Sequence, residues 1–165
     1  MKKVSLDDDS NDFTKLIKSR FQPECLPKHE RKWQVFKYED PQGTNPKKKV
    51  ITRLCTTDIA IAPMQKLDEG GESKMHSHAA QDGFFMVLEG SAVFTGENGE
   101  EVTLGPRQGM MLPRGVPYAF RKTGNEPLLL LQVEAMHSSA KSNSYQVLEE
   151  RAPQSERLEL YDAKL

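Results

Sequence analysis

Between Val50 and Ala135 the chain is cut into short pieces: V-I-T-R-L-C-T-T, D-I-A-I-A-P-M, K-M-H-S-H, G-F-F-M-V-L-E-G, S-A-V-F-T-G, E-E-V-T-L, G-M-M-L-P, P-Y-A-F-R-K and P-L-L-L-L-Q-V-E-A. Each is rich in strand-forming residues, and turn signals separate them: Gly70-Gly71, Glu89-Gly90, Glu97-Asn98-Gly99, Pro113-Arg114-Gly115 and Thr123-Gly124-Asn125. Many short strands with turns at this spacing predict an all-β antiparallel sandwich or barrel. No long helical period interrupts the series, and no internal repeat is visible.

A length of 165 residues fits one domain with extensions. The domain is expected over 32–136, with Lys32–Tyr38 (K-W-Q-V-F-K-Y) as a first strand. Residues 1–31 form an N-terminal arm, where Phe13, Leu16, Ile17 and Phe21 fall at helical spacing before Pro23 and Pro27 end the short helix. Residues 137–165 read as a polar C-terminal tail whose last ten residues form an arm or a short helix.

Charge and hydropathy narrow the function. Lys plus Arg is 23 against 24 Asp plus Glu, which offers no electrostatic footprint for nucleic acid or an anionic membrane. Mean hydropathy is −0.66, and no apolar run approaches the roughly 18–20 residues of a membrane helix. Without a hydrophobic run after its first lysines, the chain reads as cytoplasmic. Cys25 and Cys55 stand in no metal-binding spacing. A disulfide and two buried thiols both remain open, the thiols being the simpler reading.

His76 and His78 carry the chemistry. Two residues apart on a strand, they project to the same face and present two imidazoles to one point. The spacing G-x5-H-x-H followed by an apolar strand and L-E-G (Gly70, His76, His78, Gly90) resembles the first motif of the cupin superfamily. P-x-G-x-P-Y-x-F (Pro113, Gly115, Pro117, Tyr118, Phe120) resembles the second, and the segment between them is similar to the cupin inter-motif hairpin. The resemblance spans about 50–135 and is closest to small single-domain cupins of unassigned activity. It implies a jelly-roll β-barrel, or double-stranded β-helix, with both histidines inside.

The family motif supplies His, His and Glu from its first part and a further His from its second. Carried over residue by residue, His76 and His78 remain, while Gly83 stands at the Glu position and Tyr118 at the second His position. Two imidazoles bind a divalent ion weakly alone, since open facial sites use three protein ligands. Asp82 is the candidate third ligand, provided a bulge turns it inward; Gln81 is a neutral one. On the last long segment Leu128, Leu130, Gln132 and Glu134 share one face, which marks Gln132 as lining the site or its open end.

Three functions follow. The first is a cupin barrel binding Fe, Ni, Mn or Zn through His76, His78 and Asp82, together with a small organic acid or phenolic ligand, as a dioxygenase or lyase. Phe85, Met110, Phe120 and Gln132 would line the ligand. The second is a metal-independent lyase, isomerase or cyclase in which His76 or His78 is the base and Tyr118 the acid. The third is a non-catalytic ligand-binding or scaffold module, since fold alone implies no activity. Arg107, Arg114 and Arg121 offer an anion clamp if they converge, and solvated loop arginines if they do not. The expected partner is a second copy, through open barrel edges and the Trp33–Tyr38 segment.

Overall fold

In the computed structural model, residues 32–137, 145–148 and 154–163 are described. The N-terminal helix expectation, Cys25 and His29 lie outside them. The unit described below is Gln34–Leu165.

The first strands in chain order are β1 (Lys49–Thr56), β2 (Ala60–Leu67), β3 (Ser73–His78), β4 (Gln81–Glu89) and β5 (Ser91–Gly96). They are followed by β6 (Glu101–Leu104), β7 (Gly109–Leu112), β8 (Tyr118–Thr123) and β9 (Leu128–Met136). Beyond these the tail supplies β10 (Tyr145–Val147), one helical turn (Gln154–Arg157) and β11 (Leu158–Asp162). One sheet has the order β11-β1-β2-β9-β4-β7 and the other β10-β3-β8-β5-β6. This is the expected all-β jelly roll, and it differs from expectation at both ends. Among the described residues Lys32–Tyr38 forms no ladder, only an isolated bridge at Lys37. The tail, in contrast, adds an edge strand to each sheet.

The core follows from alternation. Along β4, Gln81, Gly83, Phe85 and Val87 are buried while the residues between them are half-exposed. Along β9, Leu128, Leu130 and Gln132 do the same. Burying one face of each strand gives the sandwich its apolar filling. Leu67, Phe85, Val87, Leu128 and Leu130 are fully buried there. At about 25 cal/mol per Å² of apolar surface, each such side chain contributes about 1.5–3 kcal/mol. Gly90, with φ +70°, turns the chain out of β4; a Cβ there would stand 2.3 Å from the Pro127 carbonyl oxygen. No helix among the described residues is long and apolar enough to cross a membrane.

Candidate functional site

A bulge positions the histidines. Ser73 pairs with Phe120 and His76 with Tyr118, so β3 carries one more residue than β8 between the two pairs. Ser73 and His76, three apart, would otherwise face opposite ways. The bulge brings both inward, and His78 follows two residues later.

His76, His78 and Tyr118 form one cluster. The ring centroids of His76 and His78 are 5.1 Å apart, those of His76 and Tyr118 4.3 Å, and those of His78 and Tyr118 6.2 Å. His76 and Tyr118 are buried, and His78 is half-buried. His76 Nδ1 lies 2.7 Å from the Lys74 carbonyl oxygen. A carbonyl only accepts, so Nδ1 carries the proton and the lone pair sits on Nε2. Phe85 packs below Tyr118 at 5.7 Å and against Phe94 at 5.4 Å and Phe120 at 6.2 Å.

Asp82 is not brought to this cluster. The β4–β9 register runs without a break from Gln81–Met136 to Val87–Leu130, and the irregularity lies between Val87 and Glu89. The extra residue is thus absorbed at Leu88, and Asp82 stays on the face opposite Gln81 and Gly83. Its carboxylate accepts from the Arg114 backbone N–H at 2.8 Å and pairs with the Arg114 guanidinium at 3.3 Å. Gly115 N–H donates to the His78 carbonyl at 2.9 Å. Asp82 therefore pins the Pro113–Val116 loop from outside. The arginines do not converge: Arg121 faces Glu101 at 3.8 Å, and Arg107 sits in the turn after β6 with φ 65°.

The carboxylate that does reach the interior is Glu134. It is paired across the sheet with Gly83, where the motif would place its acid, so an acid arrives from the neighbouring strand. Gln65 Nε2 donates to Gln132 Oε1, and Gln132 Nε2 donates to Glu134 Oε1 at 2.5 Å. Burial pushes the Glu134 carboxyl above its ordinary range, and the nearby Gln81 amide opposes this only in part. Gln81 is 2% exposed, yet neither of its amide atoms has a well-formed hydrogen bond among the described residues. The alternation of β9 marks Glu134 as inward-facing; its burial depends on which end of the barrel it occupies. Of the ligand-lining candidates, Phe85 and Gln132 border the space described next. Phe120 belongs to the buried core and Met110 packs against it.

Gln81, His78, Tyr118, Gln132 and Glu134 surround a cavity of about 10 Å³ that holds roughly one water molecule. Gln132 and Glu134 also wall a larger groove of about 400 Å³ on the β1–β11 side.

The donor set tests the metal expectation. Gly83 offers no donor, Asp82 is turned away, and Tyr118 replaces an imidazole. Among the described residues no group of three His, Cys, Asp or Glu side chains is placed to hold a metal ion. The three-ligand facial set implied by the motif does not fit these residues.

Residues 63–134 match the protein family described as "Cupin domain". The fold aligns with TT1209 from Thermus thermophilus at 29% identity and a TM-score of 0.52, over 56% of this chain and 88% of that one. It also aligns with an uncharacterized conserved protein with a double-stranded β-helix domain from Klebsiella pneumoniae (16% identity, TM-score 0.57, 78% of this chain and 100% of that one). A third alignment is with KdgF from Halomonas sp. (19% identity, TM-score 0.55, 65% and 97%). The last two bear on the fold alone. No functionally curated protein matches the chain in sequence.

Proposed function

We propose, from the match of residues 63–134 to the cupin-domain family, that the chain binds a small organic molecule at the polar end of its barrel and moves a proton on it without a metal. The observation that carries the reading is the Gln81 amide, buried beside His78, Tyr118 and Glu134 without a well-formed hydrogen bond. A buried amide whose contact with Glu134 is only partial is one that a ligand oxygen or a water completes.

In this reading a histidine Nε2 takes a proton from an acidic C–H next to a carbonyl. Tyr118 gives its phenolic proton to the oxygen on which charge develops, and the Gln81 amide N–H holds that oxygen by a donated hydrogen bond. On an α-hydroxy carbonyl, return of the carbon-bound proton to the former carbonyl carbon, and loss of the other hydroxyl's proton back to the Tyr118 phenolate as the new carbonyl forms, complete an isomerisation with no net gain or loss. The Lys74 carbonyl sets the His76 tautomer, and burial raises the Glu134 pKa.

The test starts with a thermal-shift screen of small hydroxy acids, keto acids and aldoses. Exchange of the activated C–H of each binder with D2O is then followed by NMR. Exchange should fall about 100-fold or more in His78→Ala and Tyr118→Phe, and stay unchanged in Arg121→Ala. Binders that show no exchange would reduce the protein to a binding module. Stoichiometric metal in untagged protein, lost in His76→Ala, would restore the metal reading.

The same reading includes a homodimer, supported by the exposed Val35 and Phe36 and by the open sheet edges. Light scattering showing a monomer at micromolar concentration would remove it.

A further inference from the structure

We infer that the groove on the β1–β11 side is a ligand compartment for a small carboxylic acid with an apolar body, anchored by Arg53. This rests on the reading above, because the groove shares Gln132 and Glu134 with the inner cavity. The inner cavity holds one water, whereas about 400 Å³ lies within the range of small-molecule sites. The bulk of any ligand therefore belongs in the groove, with only its reacting end reaching inward.

The groove has one apolar wall and, at one end, the Arg53–Asp162 ion pair. Ile51, Ile61, Pro63 and Leu160 line it. Leu160 is 67% exposed and pairs with Ile51 across the β1–β11 ladder, a side chain left in water at the rim of a recess. Arg53 pairs with Asp162 in the same ladder, and its Nε–H donates to the Asp162 carboxylate at 2.7 Å. Neither η nitrogen of Arg53 makes a hydrogen bond or an ion pair at the described residues. The Nη edge of the guanidinium, the part that binds a carboxylate bidentately, is thus open toward the groove.

Register sets the length of the ligand. Arg53 stands opposite Pro63, and the β2–β9 ladder, Ile61–Glu134 to Met64–Leu131, places Pro63 opposite Gln132. Arg53 and Gln132 are therefore two strand spacings apart, about 10 Å. An acid with its carboxylate on Arg53 and about five or six carbons along Ile61 and Pro63 reaches the Gln132–Glu134 pair. The wall excludes a fully hydrophilic ligand of the same length, since Ile51, Ile61 and Leu160 offer it no hydrogen bond.

Calorimetric titration of the full chain with hexanoate and with hexanamide tests this. The expected result is measurable hexanoate binding, weakened about tenfold or more in Arg53→Met and partly kept in Arg53→Lys, with hexanamide weaker in the native chain and indifferent to both changes. Equal binding of acid and amide, or hexanoate binding unchanged in Arg53→Met, overturns the inference. So does a groove closed to hexanoate in a dimer that Leu160→Asp splits, which would give the groove to a second copy. The two readouts separate the proposals: hexanoate titration of the native chain and Arg53→Met reads the groove, and D2O exchange of the screened binders reads the proton transfer. A native chain that binds hexanoate through Arg53 and exchanges no screened binder would sink the proton-transfer reading and keep the groove.

Discussion

The two ends of the barrel interior are built from the same strands and do opposite things. At one end Leu67, Val87, Leu128 and Leu130 are fully buried, with Phe94 stacked on Phe120 at 5.2 Å. Even the charged group there is absorbed: Lys49 is 7% exposed, bonds Ser73 at 2.8 Å and lies 4.6 Å over the Phe120 ring. At the other end β9 changes from Leu130 to Gln132 and Glu134, β4 from Phe85 to Gly83 and Gln81, and β8 from Phe120 to Tyr118. The filled end gives its interior over to packing. The polar end leaves a buried amide and a half-buried acid, groups that detract from stability where they are imperfectly paired.

Phe85 sits at the boundary, so its removal should separate the two roles most sharply. Phe85→Ala is expected to cost about 3–5 kcal/mol in denaturant unfolding. Tyr118→Phe should leave stability within about 1 kcal/mol, because its ring contacts survive. A cost for Tyr118→Phe as large as that of Phe85→Ala would erase the distinction between the ends.

Restoring the motif is the second test. Gly83→Glu with Tyr118→His should give a chain that binds Zn or Ni, read by elemental analysis and by stabilisation of about 2.7 kcal/mol at a hundredfold excess over Kd. A Cβ at Gly83 would lie 3.2 Å from Phe85 Cε2, so the ring must shift by a few tenths of an ångström. Failure to bind metal in a folded double variant would show that the polar end has lost the donor geometry as well as the donors.

Smaller effects sharpen the comparison. Burial raises the Glu134 pKa in the folded chain, so native stability should fall as pH rises through that raised value. Glu134→Gln removes the ionisation and should flatten this part of the profile, with the variant gaining on the native chain toward higher pH in thermal unfolding. A native profile that instead rises over the same interval would contradict the burial of the acid. Asp82→Asn keeps one acceptor for the Arg114 N–H and weakens a half-exposed ion pair, so it should cost about 0.5–1 kcal/mol. A tenfold loss of ligand binding with that modest cost would show that the Pro113–Val116 loop shapes the mouth.

What the sequence disclosed depended on whether local pattern was sufficient. The sandwich, its turns and the shared face of His76 and His78 follow from alternation and from glycines such as Gly90. The side on which Asp82 falls turned on where an extra residue bulges, and only the ladder to β9 places that bulge at Leu88 rather than before Gly83. Trp33–Tyr38 has strand-like composition but no ladder among the described residues, since propensity alone supplies no pairing. The tail misled in the other direction: L-E-L-Y-D reads as polar because an edge strand needs no buried face on its outer side. Glu134 was visible by parity, but a parity argument does not say that the strand opposite contributes a glycine.

The pairing of β1 with β11 has a consequence in time. Arg53 and Asp162 meet across a sequence separation of 109 residues, so the groove closes only after nearly the whole domain has been made. Its wall is the first and the last of the described strands side by side, an edge held by one parallel ladder. Such an edge is the natural place for brief local opening, and amide exchange there should outpace exchange in β4 and β9.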